Sequence, residues 1–385
     1  VYDFYEFFAG GGMARAGLGK DWKCLFANDI DRKKGASYAA NWGLDRLKVL
    51  SVGELKTADV PERADLAWAS FPCQDLSLAG DYLGLKGERS GTFWLFWRLI
   101  EALAREGREP SMIVLENVCG ALTARGGRDF AAIGSAFADS GYRFGAVVID
   151  AARFVPQSRP RLFIVAVREG RDLPATLTRT LPDPLWHPAN LVDAYNKLPS
   201  ELKTVWQWWH LPAPPQRRTT FSDVVQNEPQ GVEWHTPAET ERLLSMMSPL
   251  NRKKVAQAKI MSKQMRKRLV GGVYKRTRED KGGKKAQRAE VRFDDIAGCL
   301  RTPVGGSSRQ TVLVVEGDKV RSRLLAPREA ARLMGLPDSY KLPENYNEAY
   351  HLVGDGVVVP VVRFLAAHVL EPLLSGDAER AREAA

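Results

Sequence analysis

The chain is poor in cysteine: Cys24, Cys73, Cys119 and Cys299 are its only four in 385 residues, with no CxxC pair and no histidine at ligand spacing beside them. That excludes a disulfide framework and gives no support to a zinc site, so no metal is expected. Long apolar runs are also missing. None approaches the ~20 residues that span a bilayer, and Val1-Tyr2-Asp3-Phe4-Tyr5-Glu6 lacks the basic-then-apolar order of a secretory signal. The expectation is a cytoplasmic monomer with no membrane partner. No internal repeat is present.

What the chain does have is enough apolar content, 44% over 385 residues, to bury a large core in two domains or in one domain with an insertion. Its formal charge of +10 is segregated. Residues 251–292 hold 16 Lys and Arg against 3 Asp and Glu, leaving 40 against 43 elsewhere. A basic run is often a solvated face, but one this concentrated fits a polyanion. Lys263, Arg266, Lys267 and Arg268 are the candidates for phosphate contact.

In the first half, strand and helix patterns alternate. Strands are expected at 2–8, 23–28, 65–70, 112–115, 143–150 and 161–167, and helices at 13–18, 33–42, 92–105 and 129–140. That order predicts an α/β fold with a doubly wound, mainly parallel sheet and functional residues at the strand ends. From about residue 172, Pro, Trp and basic residues replace the clear periodicity. A catalytic domain at 1–171 plus 349–385 and a recognition domain at 172–348 follow, with Trp206-Gln207-Trp208-Trp209 expected to be buried in the smaller one.

Glu6-Phe7-Phe8-Ala9-Gly10-Gly11-Gly12 falls at a strand-to-helix turn, where glycines admit a ligand to the backbone. Nicotinamide, flavin and S-adenosylmethionine enzymes all use such a turn. Asp29 ends the next strand, placed either to accept ribose hydroxyls or to cap the following helix. Pro72-Cys73 follows a third apolar strand and makes Cys73 a candidate nucleophile. Glu116 in Glu116-Asn117-Val118, and Gln157, Arg159 and Arg161 in Gln157-Ser158-Arg159-Pro160-Arg161, stand beside further strands.

These five motifs, in this order, resemble the DNA (cytosine-5) methyltransferase family. The resemblance covers residues 2–167 and resumes at 300–373, with a variable target-recognition segment between. It implies S-adenosylmethionine as cofactor, duplex DNA as partner, and a role in DNA methylation of the restriction-modification kind. It also implies chemistry on a flipped base: Cys73 adds to cytosine C6, Glu116 holds N3 and the exocyclic amine, and Arg161 holds O2. Arg159 and Gln157 position neighbouring groups and the DNA backbone. Cofactor contacts carried over are Phe8, Gly10, Gly12, Asp29, Ile30, Glu54, Leu55, Pro72, Asp355 and Val357. The glycine-bearing stretch 77–91 would close over the base, and residues 357–373 would pack beside the Glu6 turn. Glu54 stands where the family more often has Asp, Met13 where it often has Gly, and Asp355 where it often has Asn. An RNA cytosine-5 methyltransferase would share this chemistry, whereas a non-catalytic DNA-binding relative would need none of Cys73, Glu116 and Arg161.

Overall fold

The computed structural model describes residues 1–72, 91–171, 173–279, 283, 285–301 and 309–375. Cys73, and residues 77–90 of the 77–91 stretch, lie outside them. The chain divides into two compact units, one of Val1–Asp150, Pro160–Pro214 and Val359–Ala385, the other of Ala151–Arg159 and Pro215–Val358.

The first unit is built on a seven-stranded sheet of β1 (Tyr2–Phe7), β2 (Trp22–Asp29), β3 (Leu47–Val49), β4 (Leu66–Ala69), β5 (Met112–Asn117), β6 (Tyr142–Asp150) and β7 (Pro160–Arg168), ordered 3-2-1-4-5-7-6. β1 to β5 run parallel, and β7 lies antiparallel between β5 and β6. β4 and β5 are buried at every position, as strands covered on both faces must be. The covering helices are α1 (Met13–Leu18), α2 (Arg32–Trp42), α3 (Thr92–Arg105) and α4 (Arg128–Asp139). α3 buries Phe93, Trp94, Phe96 and Trp97, with Phe96 against Phe7 at 5.0 Å and Trp97 against Phe137 at 5.2 Å. Truncating any one of these rings would cost about 3–5 kcal/mol. The strand order reverses at β1, so a crevice opens at the carboxyl ends of β1 and β4.

Residues 173–214 belong to this unit and not to the smaller one, which moves the boundary expected near residue 172. They add α5 (Ala189–Asn196), α6 (Ser200–Thr204) and the short pair β8 (Thr178–Arg179) and β9 (Trp208–Trp209). The reason is the tryptophans. Trp206 packs on Phe144 and Phe130, and the Trp209 indole donates to Val165 O, so the cluster seals the β6–β7 side of the main sheet. His187, buried beside Trp208, accepts the Asp183 N–H, and burial pushes its imidazole down to about 4.

The C-terminal helix, Val359–Leu365, continues through a π turn at Ala366–Leu370. Pro360 occupies the first turn of this helix, where the missing N–H is harmless. It packs on α1, the helix that follows the Glu6 turn. A Cβ on Gly17 would lie 2.4 Å from Val362 Cβ, so glycine is needed for this close approach. By length and composition Tyr346–Ser375 could cross a membrane, but it breaks at residues 356–358, and 61% of its most apolar 18-residue window is buried within the protein.

The second unit carries an antiparallel sheet of β10 (Leu269–Glu279), β11 (Lys285–Arg292), β12 (Thr311–Glu316) and β13 (Lys319–Leu324), ordered 11-10-12-13. Its helices are α7 (Phe221–Val224), α8 (Pro237–Ser245), α9 (Pro249–Met265), α10 (Pro327–Leu333) and α11 (Tyr346–Asp355). Leu243, Met247, Val255, Val273, Ala289, Val291 and Leu313 form one core. A second anchor is polar. Arg323 and Glu329 are both fully buried and joined by two hydrogen bonds of 2.6 and 2.8 Å; Arg323 also donates to Gln226 O and Leu324 O, and Glu329 accepts the Gln226 and Ala326 N–H groups.

Candidate active site

The backbone after β1 is forced into an unusual path: Phe8, Gly10 and Gly12 have φ of 56°, 54° and 75°. At Phe8 this left-handed conformation carries roughly 1–2 kcal/mol of strain, so the surroundings must hold it. They do so on several sides. Asp29 accepts the Gly10 N–H through Oδ2 and the Asp31 N–H through Oδ1, both at 2.8 Å. The α2 N-cap is Asp31, whose carboxylate takes the Lys33 and Lys34 N–H groups, so Asp29 is not that cap. From behind, the Trp42 indole donates to Gly11 O at 3.1 Å, and the Arg15 guanidinium stacks on Trp42 at 4.8 Å while bonding Tyr38 Oη. A Cβ on Gly12 would collide with Trp42 at 2.3 Å, whereas one on Gly10 would meet nothing within 4 Å. The open side of the turn is therefore at Gly10.

Beneath the turn, Glu6 is buried on β1 and accepts the Arg15 N–H at 3.1 Å. Loss of hydration raises its carboxyl to about 7, against the opposing pull of Arg15. Beside Asp29, Ile30 leaves 69% of its apolar surface exposed. Glu54 accepts the Ser51 N–H in a capping box, Leu55 is buried, and Pro72 is exposed just beyond β4. These residues lie at or just beyond the carboxyl ends of the parallel strands β1 to β4.

Glu116 ends β5 and Arg161 begins β7. Because the two strands run antiparallel, with Glu116 opposite Phe163, residues far apart in sequence meet, and Arg161 Nε lies 3.3 Å from Glu116 Oε1. Glu116 is 7% exposed, its second oxygen has no hydrogen-bond partner among the described residues, and Arg161 spends Nη1 on Pro160 O. Asn117, which the sequence reading passed over, donates to Phe71 O at 3.1 Å and so ties the end of β5 to the backbone just before Pro72-Cys73. Its place in Glu116-Asn117-Val118 was the available signal.

The other thiols are accounted for. Cys24 sits inside β2 with Sγ toward Phe26 O and Tyr38 Oη, and burial pushes it up to about 11, the wrong direction for a nucleophile. Burial also raises Cys119, with Arg161 opposing, and Cys299 contacts Leu300 O.

Gln157 and Arg159 belong to the second unit. The Gln157 amide donates to Leu333 O and accepts the Leu300 N–H, both inside the protein. Arg159, 2% exposed, donates to Leu300, Gly354 and Gly356 carbonyls and so pins the turn that carries Asp355 and leads to Val357. Of the basic candidates, Lys263 pairs with Asp318 at 2.7 Å, and Arg268 is held by Asn227, Ser222 O and Val225 O. Arg266 and Lys267 are exposed at the end of α9.

Residues 2–371 match the C-5 cytosine-specific DNA methylases. The chain belongs to that family. Its activity is that of a DNA (cytosine-5) methyltransferase. Among curated relatives, the Type II methyltransferase M.HpaII of Haemophilus parainfluenzae is 27% identical, over 97% of this chain and 90% of the relative. M.HhaI of Haemophilus parahaemolyticus is 24% identical over 95% and 93%. In fold, the Entamoeba histolytica methyltransferase EhMeth aligns with a TM-score of 0.61 at 13% identity, covering 97% of this chain and 98% of that one. The Dnmt2 methyltransferase of S. pombe aligns at 0.56 and 16%, covering 97% and 99%. The methyltransferase fold, with a smaller second unit, is thus shared.

Proposed function

We propose that the strand-end crevice of the first unit binds S-adenosylmethionine together with a cytosine turned out of duplex DNA, and that Cys73, Glu116 and Arg161 carry the reaction. The observation that supports this most is the pair of buried Glu116 and half-buried Arg161, 3.3 Å apart, each with a polar atom left over for a ligand. The cofactor's fit rests on this chain's own atoms. Gly10 is open where a Cβ would stand, Asp29 keeps lone pairs for ribose hydroxyls, and Ile30 offers exposed apolar surface to an adenine. Phe8, Gly12, Glu54, Leu55 and Pro72 complete that lining.

Bound there, S-adenosylmethionine supplies a methyl group made electrophilic by its sulfonium. The Cys73 thiolate forms a bond to C6, and the C5–C6 π electrons move toward C5 and the N3 side of the ring. A proton at N3, held there by Glu116, neutralises that charge while Glu116 also accepts from the exocyclic amine, and Arg161 holds O2. Once C5 is methylated, its proton leaves to water, and the returning electrons break the C6–S bond and free Cys73. A base stacked in a duplex cannot reach these groups, so it must be flipped at a cost of a few kcal/mol. The reading includes a monomer acting in the cytoplasm as a bacterial or phage modification enzyme. It is favoured by the Type II methyltransferase relatives.

A duplex with 5-fluorocytosine at the target tests the mechanism, since fluorine replaces the proton that must leave. Wild-type protein should form a covalent adduct stable to denaturation, and Cys73→Ala should form none while still binding DNA. Methylation of ordinary cytosine without any adduct on the fluorinated duplex would overturn the covalent route.

A further inference from the structure

Between β3 and β4 the first unit runs through two short helical turns, Val52–Glu54 and Thr57–Asp59. They lie across one stripe of α3 made of Leu95, Arg98, Leu99 and Ala102, spaced as i, i+3, i+4 and i+7. The two surfaces do not close on each other. They leave a cavity of about 300 Å³, room for roughly ten waters and at the lower bound of small-molecule sites. Gly53 adds no side chain to its wall, and a Cβ there would already stand 3.0 Å from Leu95 Cδ2.

The walls are apolar: Val52, Leu55 and Leu99 are buried, and Leu95 and Ala102 are partly so. Such walls hold water poorly. Two cations break the pattern. Lys56 and Arg98 line the same cavity and are exposed, Arg98 within the stripe of α3 that is otherwise apolar. Neither has an ion-pair partner among the described residues. The facing connection cannot supply one, because its two carboxylates between residues 50 and 60 are already used. Glu54 accepts the Ser51 N–H, and Asp59 accepts the Lys56 N–H and pairs with Lys48 at 3.4 Å. An apolar cavity with unneutralised cations at its edge fits an apolar body that ends in negative charge.

This is not the cofactor crevice. Of the residues assigned to that crevice, Leu55 alone also lines the cavity; Phe8, Gly10, Asp29, Ile30, Glu54 and Pro72 do not. We propose that the cavity is a second ligand site, taking a small aliphatic monocarboxylate with its chain against Val52, Leu95 and Leu99 and its carboxylate between Lys56 and Arg98. The proposal does not rest on the methyltransferase chemistry, so binding alone decides it.

Isothermal titration of the full chain with octanoate is the test. Wild type should bind one octanoate, and each methylene between butanoate and octanoate should tighten binding by up to about fourfold. Lys56→Gln/Arg98→Gln should weaken octanoate roughly fivefold and leave octanol, which lacks the charge, unchanged. Ala102→Leu, which fills the cavity from α3, should abolish binding of both; should that variant unfold, the glutamine pair, at two exposed positions, carries the test. Octanoate affinity should be the same with and without saturating S-adenosylhomocysteine. No octanoate binding by wild type would overturn the proposal, as would undiminished octanoate affinity in the double glutamine variant. Displacement of octanoate by S-adenosylhomocysteine would overturn it too, by making the cavity an extension of the cofactor crevice. Failure of S-adenosylhomocysteine itself to bind would instead sink the cofactor reading and leave the octanoate result standing.

Discussion

Glu6 lies beneath the cofactor turn, and its ionisation should be felt as stability. It is faced by the Arg15 N–H and guanidinium from α1, by Tyr38 from α2 and by Cys24 from β2. Its Oε2 is buried without a hydrogen-bond partner, so burial raises the carboxyl from its ordinary 4.5 to about 7. In the unfolded chain the group ionises first, so between those two values the folded state holds more protons than the unfolded state. Stability therefore falls as pH rises from about 4.5 to about 7 and levels off above that. At about 1.4 kcal/mol per pH unit, the loss is on the order of 3 kcal/mol. Glu6→Gln keeps the shape and the oxygen that accepts from Arg15 but cannot ionise. Urea unfolding of both proteins from pH 4.5 to 8 should show a gap that widens by about 3 kcal/mol in favour of the variant and closes at the acid end. Other groups titrate in the same range, but they are common to both proteins and cancel in the difference. Parallel stability curves would refute the reasoning and place Glu6 in a better solvated site than its burial implies.

Trp42→Phe keeps the ring under Arg15 but removes the N–H on Gly11 O, and calorimetric titration should show S-adenosylhomocysteine binding weakened about fivefold, the effect of ~1 kcal/mol. Asn117→Ala strips the Phe71 carbonyl of its donor and should lower stability by about 1–3 kcal/mol; because that carbonyl directs the chain into Cys73, steady-state kinetics should show kcat falling more than KM for DNA rises. Glu329→Gln leaves Arg323 charged and fully buried, which should destabilise the second unit by about 3–5 kcal/mol in urea unfolding.

The sheet of the first unit was legible because its strands are short apolar runs between helices of clear 3.6-residue period. Thr92–Arg105, with four aromatic rings on its buried side, matches its expected bounds, and Met13–Leu18 does too. The second unit was opaque for a physical reason. α9 runs 17 residues, yet it buries only Asn251, Val255, Ala258 and Ser262, two of them polar, so its stripe hardly registers as hydrophobic. Likewise the outer ends of β10 and β11 carry charge where an alternating pattern would mark a strand. Motif order put Asp29, Glu116 and Arg161 at strand ends, and β2, β5 and β7 carry them there. It could not reveal that Asp29 also fastens Gly10, or that Trp42, twelve residues past Ile30, closes the turn from behind. Those depend on where α2 ends in space.

The arginines show why charge in sequence is an incomplete guide to a polyanion site. Arg159, Arg268 and Arg323 each commit their terminal guanidinium nitrogens to carbonyls or a carboxylate of their own unit. Withdrawing such a group toward phosphate would leave those acceptors unpaired, at about 1–3 kcal/mol for each buried one, so their affinity for DNA would be offset by damage to the fold. Arg276 and Arg288 are in the reverse position: both are exposed, and they oppose each other in the free protein. Neutralising them with phosphate relieves a repulsion already present. The sign of the fold's own stake in each guanidinium, favourable for the first group and unfavourable for the second, is what separates a structural arginine from one kept for a ligand. Nothing in the spacing of Lys and Arg along the chain encodes that sign, because it is set by the carbonyls that the surrounding helices and turns bring to each side chain.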